Sequence, residues 1–280
     1  MEAQINGINL AFSDEGQGQP IVFLHAFPLN RSMWEPQVKG LKSQFRIITV
    51  DLRGHGKSEA PMWRYSLDQF AEDTKNLLDH LGIAKAVFVG LSMGGYILFS
   101  LYRKYPSLFD ALVLADTRAT ADTPEAKSTR FSMAQIAYKR GSSTIADLML
   151  PKLLGQTSLS HRQDLVKQLR HMITANQISG IVGDLMAMEE RPDSTPLLRS
   201  LKIPTLVIVG EEDLASPPEE VQGMAEHIPG AKFIIIPEAG HVSNLEQPEL
   251  FNQTVYKFFR EVENGDWTER DFGSDSGSLI

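Results

Sequence analysis

The chain has 280 residues, 42% hydrophobic and 22% charged, which fits a soluble globular protein with one large core plus an insertion, or two modest domains. It has no cysteine, which excludes disulfides and cysteine-ligated metals, and its formal charge of −8 argues against nucleic acid, which is bound through excess Lys and Arg. No apolar run approaches the ~20 residues of a membrane helix, and Met1-Glu2-Ala3-Gln4 lacks the basic and apolar segments of a signal peptide, so the expected location is the cytoplasm with no membrane partner.

Along the chain, Ala3–Ile5 and Ile8–Phe12 flank Asn6-Gly7, a strong hairpin signal. Short apolar runs follow at Ile21–Leu24, Ile47–Val50, Ala86–Val89, Ala111–Leu114, Thr205–Val209 and Phe233–Ile236. Each is rich in Val, Ile, Leu or Phe, as in strands covered on both faces. Between them, Leu67–Leu81 places Phe70, Leu77, Leu78 and Leu81 at helical spacing, starts near Ser66 and Asp68, and stops at Gly82. Tyr96–Lys104 and Glu249–Val262 carry the same kind of pattern. Strand-helix alternation implies right-handed crossovers, hence an α/β fold with a mostly parallel central sheet and helices on both faces.

From Arg118 to about Arg199 the alternation stops and only helical patterns remain, opened by the Thr123-Pro124 cap and first-turn proline. The expected organisation is a core of residues 1–117 and 200–262, an all-helical cap of 118–199 inserted after the sixth strand, and a mobile acidic tail over 263–280. The cap carries net charge +3 on an otherwise acidic protein and five of the ten methionines. The charge has two readings, a solvated surface or a face toward an anionic substrate. The methionines are either core filler or, as for Met133 and Met149, an adaptable apolar wall of a substrate pocket.

Ser92 lies in Gly90-Leu91-Ser92-Met93-Gly94, between a buried strand and an amphipathic helix. A nucleophilic serine must stand proud of the sheet on a tight, strained turn, and the residues two before and two after it must be small. Such a serine needs a base and a group to orient that base. Among the histidines, His241 follows the last strand, at the carboxyl edge where open α/β sheets place their chemistry. Asp213 and Asp116 both follow strands. The order serine, acid, histidine favours Asp213, leaving Asp116 the alternative. The oxyanion donors expected are the backbone amides of Met93 and Phe27, Phe27 also being a candidate for contact with substrate. His25 is read as a buttress of its loop, not as the base.

Taken together, His25-Ala26-Phe27-Pro28, Asp51-Leu52-Arg53-Gly54-His55-Gly56-Lys57-Ser58, Gly90-Leu91-Ser92-Met93-Gly94-Gly95, Gly210-Glu211-Glu212-Asp213 and Gly240-His241 resemble the successive signatures of the α/β-hydrolase superfamily over about residues 1–262. Within it the chain is similar to small cap-bearing esterases and lactonases: 3-oxoadipate enol-lactonases, non-haem chloroperoxidase-like esterases and acyl-homoserine-lactone hydrolases. The resemblance implies no metal or organic cofactor. It also implies that the Asp51–Ser58 run is scaffolding, with His55 and Ser58 outside catalysis. One departure is Ala26, where the family usually has glycine. A serine at the elbow argues against dehalogenases and epoxide hydrolases, which attack with Asp. The expected activity is cleavage of a small ester or lactone through an acyl-enzyme. Perhydrolysis, C–C hydrolysis and a catalytically silent receptor remain as alternatives.

Overall fold

The computed structural model describes residues 1–62 and 64–266. Eight strands form one sheet: β1 (Glu2–Ile5), β2 (Ile8–Glu15), β3 (Pro20–Leu24), β4 (Arg46–Val50), β5 (Ala86–Leu91), β6 (Phe109–Ala115), β7 (Thr205–Gly210) and β8 (Lys232–Ile236). Their order is β1-β2-β4-β3-β5-β6-β7-β8. The first two strands pair antiparallel, and β2 is antiparallel to β4; every later pairing is parallel. The Asn6-Gly7 turn closes the hairpin with φ of 47° and 76°, both positive as a tight two-residue hairpin turn requires. β5 is buried along its whole length, while β8, at the edge, is mostly half-exposed, so the continuous apolar runs mark the middle of the sheet.

Helices α1 (Glu35–Leu41), α2 (Leu67–His80) and α3 (Met93–Lys104) connect the first six strands. Ser66 caps α2, its side chain accepting from the Gln69 amide as its sequence position suggested. Between β6 and β7 stand α4 (Pro124–Arg140), α5 (Ser142–Leu153), α6 (Gln156–His161), α7 (Gln163–Ala175), α8 (Ile178–Glu189) and α9 (Thr195–Leu198). Among the described residues this insertion contains no strand, and it forms the helical cap expected after the sixth strand. It packs as two helix pairs, α4 with α8 and α5 with α7. Helices α10 (Pro218–Glu226), α11 (Ser243–Glu246) and α12 (Pro248–Asn264) complete the regular structure of the described residues. The acidic tail expected from 263 lies outside the described residues from 267 onward; α12 runs to Asn264.

The core is continuous from the sheet into the cap. Trp34 is fully buried between Phe23 and Phe251, with ring centroids 4.9 and 6.2 Å away. The cap helix α8 comes down onto the Arg53-Gly54-His55 turn so closely that a Cβ on Gly180 would stand 1.9 Å from the Gly54 carbonyl oxygen. That approach is open only to glycine. Among the described residues no helix is long and apolar enough to cross a membrane.

Candidate active site

The turn from β5 into α3 puts Ser92 at φ 54° and ψ −113°, a backbone conformation an L-residue adopts only under constraint. Hydrogen bonds at its backbone hold it there. The Ser92 amide donates to Ala115 O (3.0 Å), the Thr117 hydroxyl donates to Ser92 O (2.8 Å), and the Gly95 amide donates to Ser92 O (2.9 Å). The flanking glycines are required by space: a Cβ at Gly90 would meet Gly94 C at 2.5 Å, and one at Gly94 would meet Leu24 O at 2.3 Å. The elbow therefore follows from the sequence motif through sterics alone.

The loops after β7 and β8 bring Asp213 and His241 to this serine. His241 Nδ1 lies 2.8 Å from Asp213 Oδ2, and His241 Nε2 lies 2.8 Å from Ser92 Oγ. Asp213 Oδ1 also accepts from the amides of Ala215 (2.8 Å) and Ser216 (2.9 Å), which fix the carboxylate in place. A carboxylate at Nδ1 fixes the proton there and leaves the Nε2 lone pair for the serine hydroxyl. Burial opposes a charged imidazole, yet the charge and hydrogen bond of Asp213 prevail and raise the pKa of His241 above its ordinary value. Ser92, Asp213 and His241 are all nearly enclosed.

Asp116, the alternative acid, is not hydrogen-bonded to His241. It sits after β6 at φ 47° and is completely buried. Its Oδ1 accepts from the Gly210 amide (2.8 Å), and its Oδ2 is hydrogen-bonded to Ser243 Oγ (2.6 Å). Burial and then the negative charge of Asp213 hold its carboxyl well above the usual range. The loops bearing Asp213 and His241 are thus tied together through Asp116.

Opposite the histidine, β3 runs into His25-Ala26-Phe27-Pro28. His25 Nδ1 donates to Ala26 O (3.0 Å) and Nε2 accepts from the Leu52 amide (3.0 Å), using both ring nitrogens to brace the loop. Burial lowers its pKa to about 4. Ala26, where glycine was the usual residue, is fully buried and its amide meets Met33 Sδ at 3.4 Å. Among the described residues, neither the Phe27 nor the Met93 amide donates to a protein acceptor.

The Asp51–Ser58 run is structural. Asp51 accepts from the amides of Arg31 (2.9 Å) and Lys57 (3.1 Å), and the Ser58 hydroxyl donates to Asp51 O (2.5 Å). His55 stacks on His25 with centroids 5.2 Å apart, and its Nε2 lies 3.2 Å from Asp184 Oδ2 of α8. Both members of this pair are wholly enclosed. Burial brings His55 to about 3 and holds the Asp184 carboxyl well above its usual range, so burial disfavours the ionic form of both partners.

Three residues of this neighbourhood carry no motif and were not singled out by sequence: Asn176, Asp184 and Glu246. Glu246 accepts from the amides of Gly240 (2.8 Å), just before His241, and Gly155 (2.9 Å), just before α6. Met133 and Met149 are half-buried and pack against the apolar core. The positive surplus of the cap lies on exposed Lys139, Arg140, Lys152, Lys167 and Arg199, whereas Arg130 and Arg191 share Asp122 and Arg170 meets Asp147.

Comparison with known proteins points to one fold family, whose similar members carry several named activities, bromoperoxidases among them. A family model described as alpha/beta hydrolase fold matches residues 19–248. The chain is 31% identical over 255 residues to 3-oxoadipate enol-lactonase 2 of Acinetobacter baylyi, covering 91% of this chain and 94% of that one. A thermophilic esterase from Thermogutta terrifontis, solved with malate bound, superposes with a TM-score of 0.91 at 40% identity, covering 94% of this chain and 98% of that one. The enol-lactonase of Burkholderia xenovorans superposes with a TM-score of 0.87 at 32% identity, over 93% and 100% of the two chains.

Proposed function

The chain belongs to the α/β-hydrolase family, and on that premise we propose that it is a serine hydrolase that cleaves a small carboxylic ester or lactone through an acyl-enzyme. The observation that carries the reading is the unbroken hydrogen-bonded run from Asp213 through His241 to Ser92, ending on a strained elbow. The names of the similar esterase and enol-lactonases support the substrate class.

In this mechanism Ser92 Oγ attacks the substrate carbonyl carbon while His241 Nε2 takes its proton. Asp213 holds the imidazole in the correct tautomer and stabilises the imidazolium that forms. The carbonyl oxygen becomes an oxyanion and accepts hydrogen bonds from the free amides of Phe27 and Met93. Collapse expels the alcohol, or opens the lactone ring, with the proton returned from His241, and leaves an ester on Ser92. Water then attacks that ester with His241 again as base, releasing the acid and the free serine. Met133 and Met149 of the cap and Phe27 are assigned to the wall beside the acyl group, which a series of acyl chain lengths tests through changed preference.

The deciding experiment follows a nitrophenyl ester in pre-steady state. The expected result is a burst of nitrophenol equal to the enzyme, with the acyl mass on Ser92. In Ser92→Ala, kcat should fall by at least about 10³ with the fold intact. Turnover that survives Ser92→Ala would remove the assignment.

A further inference from the structure

We propose that Asn176, a cap residue, is a positioning residue for the oxyanion loop, so that the cap completes the catalytic machinery as well as covering it. The proposal rests on the serine-hydrolase reading above. Asn176 follows α7 and leads into α8, and it is 5% exposed. Its Nδ2 donates to Pro28 O (2.8 Å) and to Leu29 O (3.1 Å), and its Oδ1 accepts from the Gly56 amide (2.9 Å). Both donor hydrogens and the acceptor are therefore used, which fixes the orientation of the amide without ambiguity.

The two carbonyls belong to the residues immediately after Phe27. Both residues are buried, and among the described residues no backbone amide donates to either oxygen. A buried carbonyl without a donor is strongly disfavoured, so the loop is held where Asn176 can reach it. On its other side the same turn is held from the core, by His25 at Ala26 O and by the Leu29 amide, which also donates to Ala26 O (2.9 Å). Phe27 thus lies between a core brace and a cap brace. An oxyanion donor acts through preorganisation, and a displacement of a few tenths of an ångström weakens it in the transition state more than in the ground state. The signature of the cap brace is consequently a loss in kcat with little change in KM.

The test uses the full-length enzyme and a nitrophenyl ester, with phenylboronic acid as the tetrahedral probe. The boronate forms a bond to Ser92 Oγ and places an oxygen where the oxyanion would lie. Asn176→Ala removes both donors. Asn176→Asp keeps the volume and leaves at most one donor for the two carbonyl oxygens. Removing a whole oxyanion donor costs 10²–10³ in kcat, so displacing one should cost about tenfold to hundredfold, with KM within about twofold. Boronate affinity should fall by a similar factor.

Ser194→Ala is the control for a merely loosened cap. The Ser194 hydroxyl accepts from Arg103 Nη2 (3.2 Å) at the C-terminal end of α3, away from Ser92, and its loss should lower Tm while leaving kcat and boronate affinity unchanged. If Asn176→Ala fails to fold, Asn176→Ser supplies the measurement. The proposal is overturned if folded Asn176 variants keep wild-type kcat and boronate affinity, whatever their Tm. It is equally overturned if Ser194→Ala lowers kcat as much as they do. A wild type whose ester turnover survives Ser92→Ala overturns the hydrolase reading and this proposal with it, a pattern distinct from either outcome above.

Discussion

The two sides of Ser92 are built by different electrostatic means. On the histidine side, Asp213 meets His241, and Glu246 and Glu212 receive backbone amides at the start of α6: Gly155 N on Glu246 and Thr157 N on Glu212 (2.9 Å each). Carboxylates reach up from the core and hold the cap by its helix N-terminus, where negative charge is favourable. On the oxyanion side the braces are His25 and His55, whose pKa values burial lowers, Asp184, whose carboxyl burial holds well above its usual range, and the amide of Asn176, with the Arg31–Asp51 ion pair beside them. The difference follows from the chemistry assigned to each side. A base is strengthened by nearby negative charge. An oxyanion is destabilised by it, and on that side burial disfavours the charged form of Asp184 while Arg31 pairs with Asp51.

The largest effect should come from removing the charge on the histidine side. In Asp213→Asn the shape remains but the imidazole loses its anionic partner, and a comparable swap costs about 10⁴ in kcat. The pH profile sharpens the point. His241 must be neutral to act as base, and Asp213 raises its pKa, so the acid limb of kcat/KM should lie above the ordinary histidine value. The residual activity of Asp213→Asn should show that limb at lower pH. A limb that stays in place would mean that Asp213 does not set the charge of His241.

Glu246→Gln comes next. An amide has one acceptor oxygen for the two amides that Glu246 holds, so one of Gly155 N and Gly240 N loses its partner. Leaving a buried donor unpaired costs about 1–3 kcal/mol. Thermal or denaturant unfolding should show a loss of that order, and activity should fall because Gly240 precedes His241. A variant as stable and as active as wild type would place the cap's anchorage elsewhere.

Asp184→Asn probes the oxyanion side. Asp184 takes up a proton on folding, because burial raises its pKa in the folded chain. Its stabilising contribution is complete below the unfolded value and declines as pH rises toward the folded one. Asparagine is neutral at every pH and lacks that slope. The variant should therefore gain stability relative to wild type as pH is raised from about 4 to 8. An advantage that shrinks over that range would show that Asp184 is ionised and that the two sides are electrostatically alike.

Much of this contrast was legible in the chain, but unevenly. The Gly90–Gly94 turn, the apolar strands and the order Ser92, Asp213, His241 rest on local sterics and on where strand ends fall, and both leave marks in sequence. The oxyanion-side brace does not. Asn176 works because a cap helix ends against a loop some 150 residues earlier in the chain, and nothing adjacent to it in sequence encodes that meeting. Glu246 is similar: its partners Gly155 and Gly240 come together only once the cap is seated. The charge surplus of the cap misleads in the other direction, since composition counts exposed lysines and arginines equally with those that face a site.

The smallest effect should come from the second aspartate at the sheet edge. Asp116 lies among the same loops as Asp213, and burial, then the charge of Asp213, hold its carboxyl well above the usual range although His241 opposes them. An asparagine is then nearly isosteric with the protonated acid. Its Oδ1 can still accept from the Gly210 amide, and its Nδ2 can donate to Ser243 Oγ, so the ties between the β6, β7 and His241 loops persist. In Asp116→Asn, kcat should remain within about threefold of wild type, a barrier change below about 1 kcal/mol. The acid limb of kcat/KM should fall by less than in Asp213→Asn, because Asp116 ranks behind Asp213 among the groups that raise the pKa of His241. A fall as large as that of Asp213→Asn would show that Asp116 shares the task of Asp213. A loss of activity approaching that of Asp213→Asn would make Asp116 the orienting acid and overturn the assignment of the histidine side.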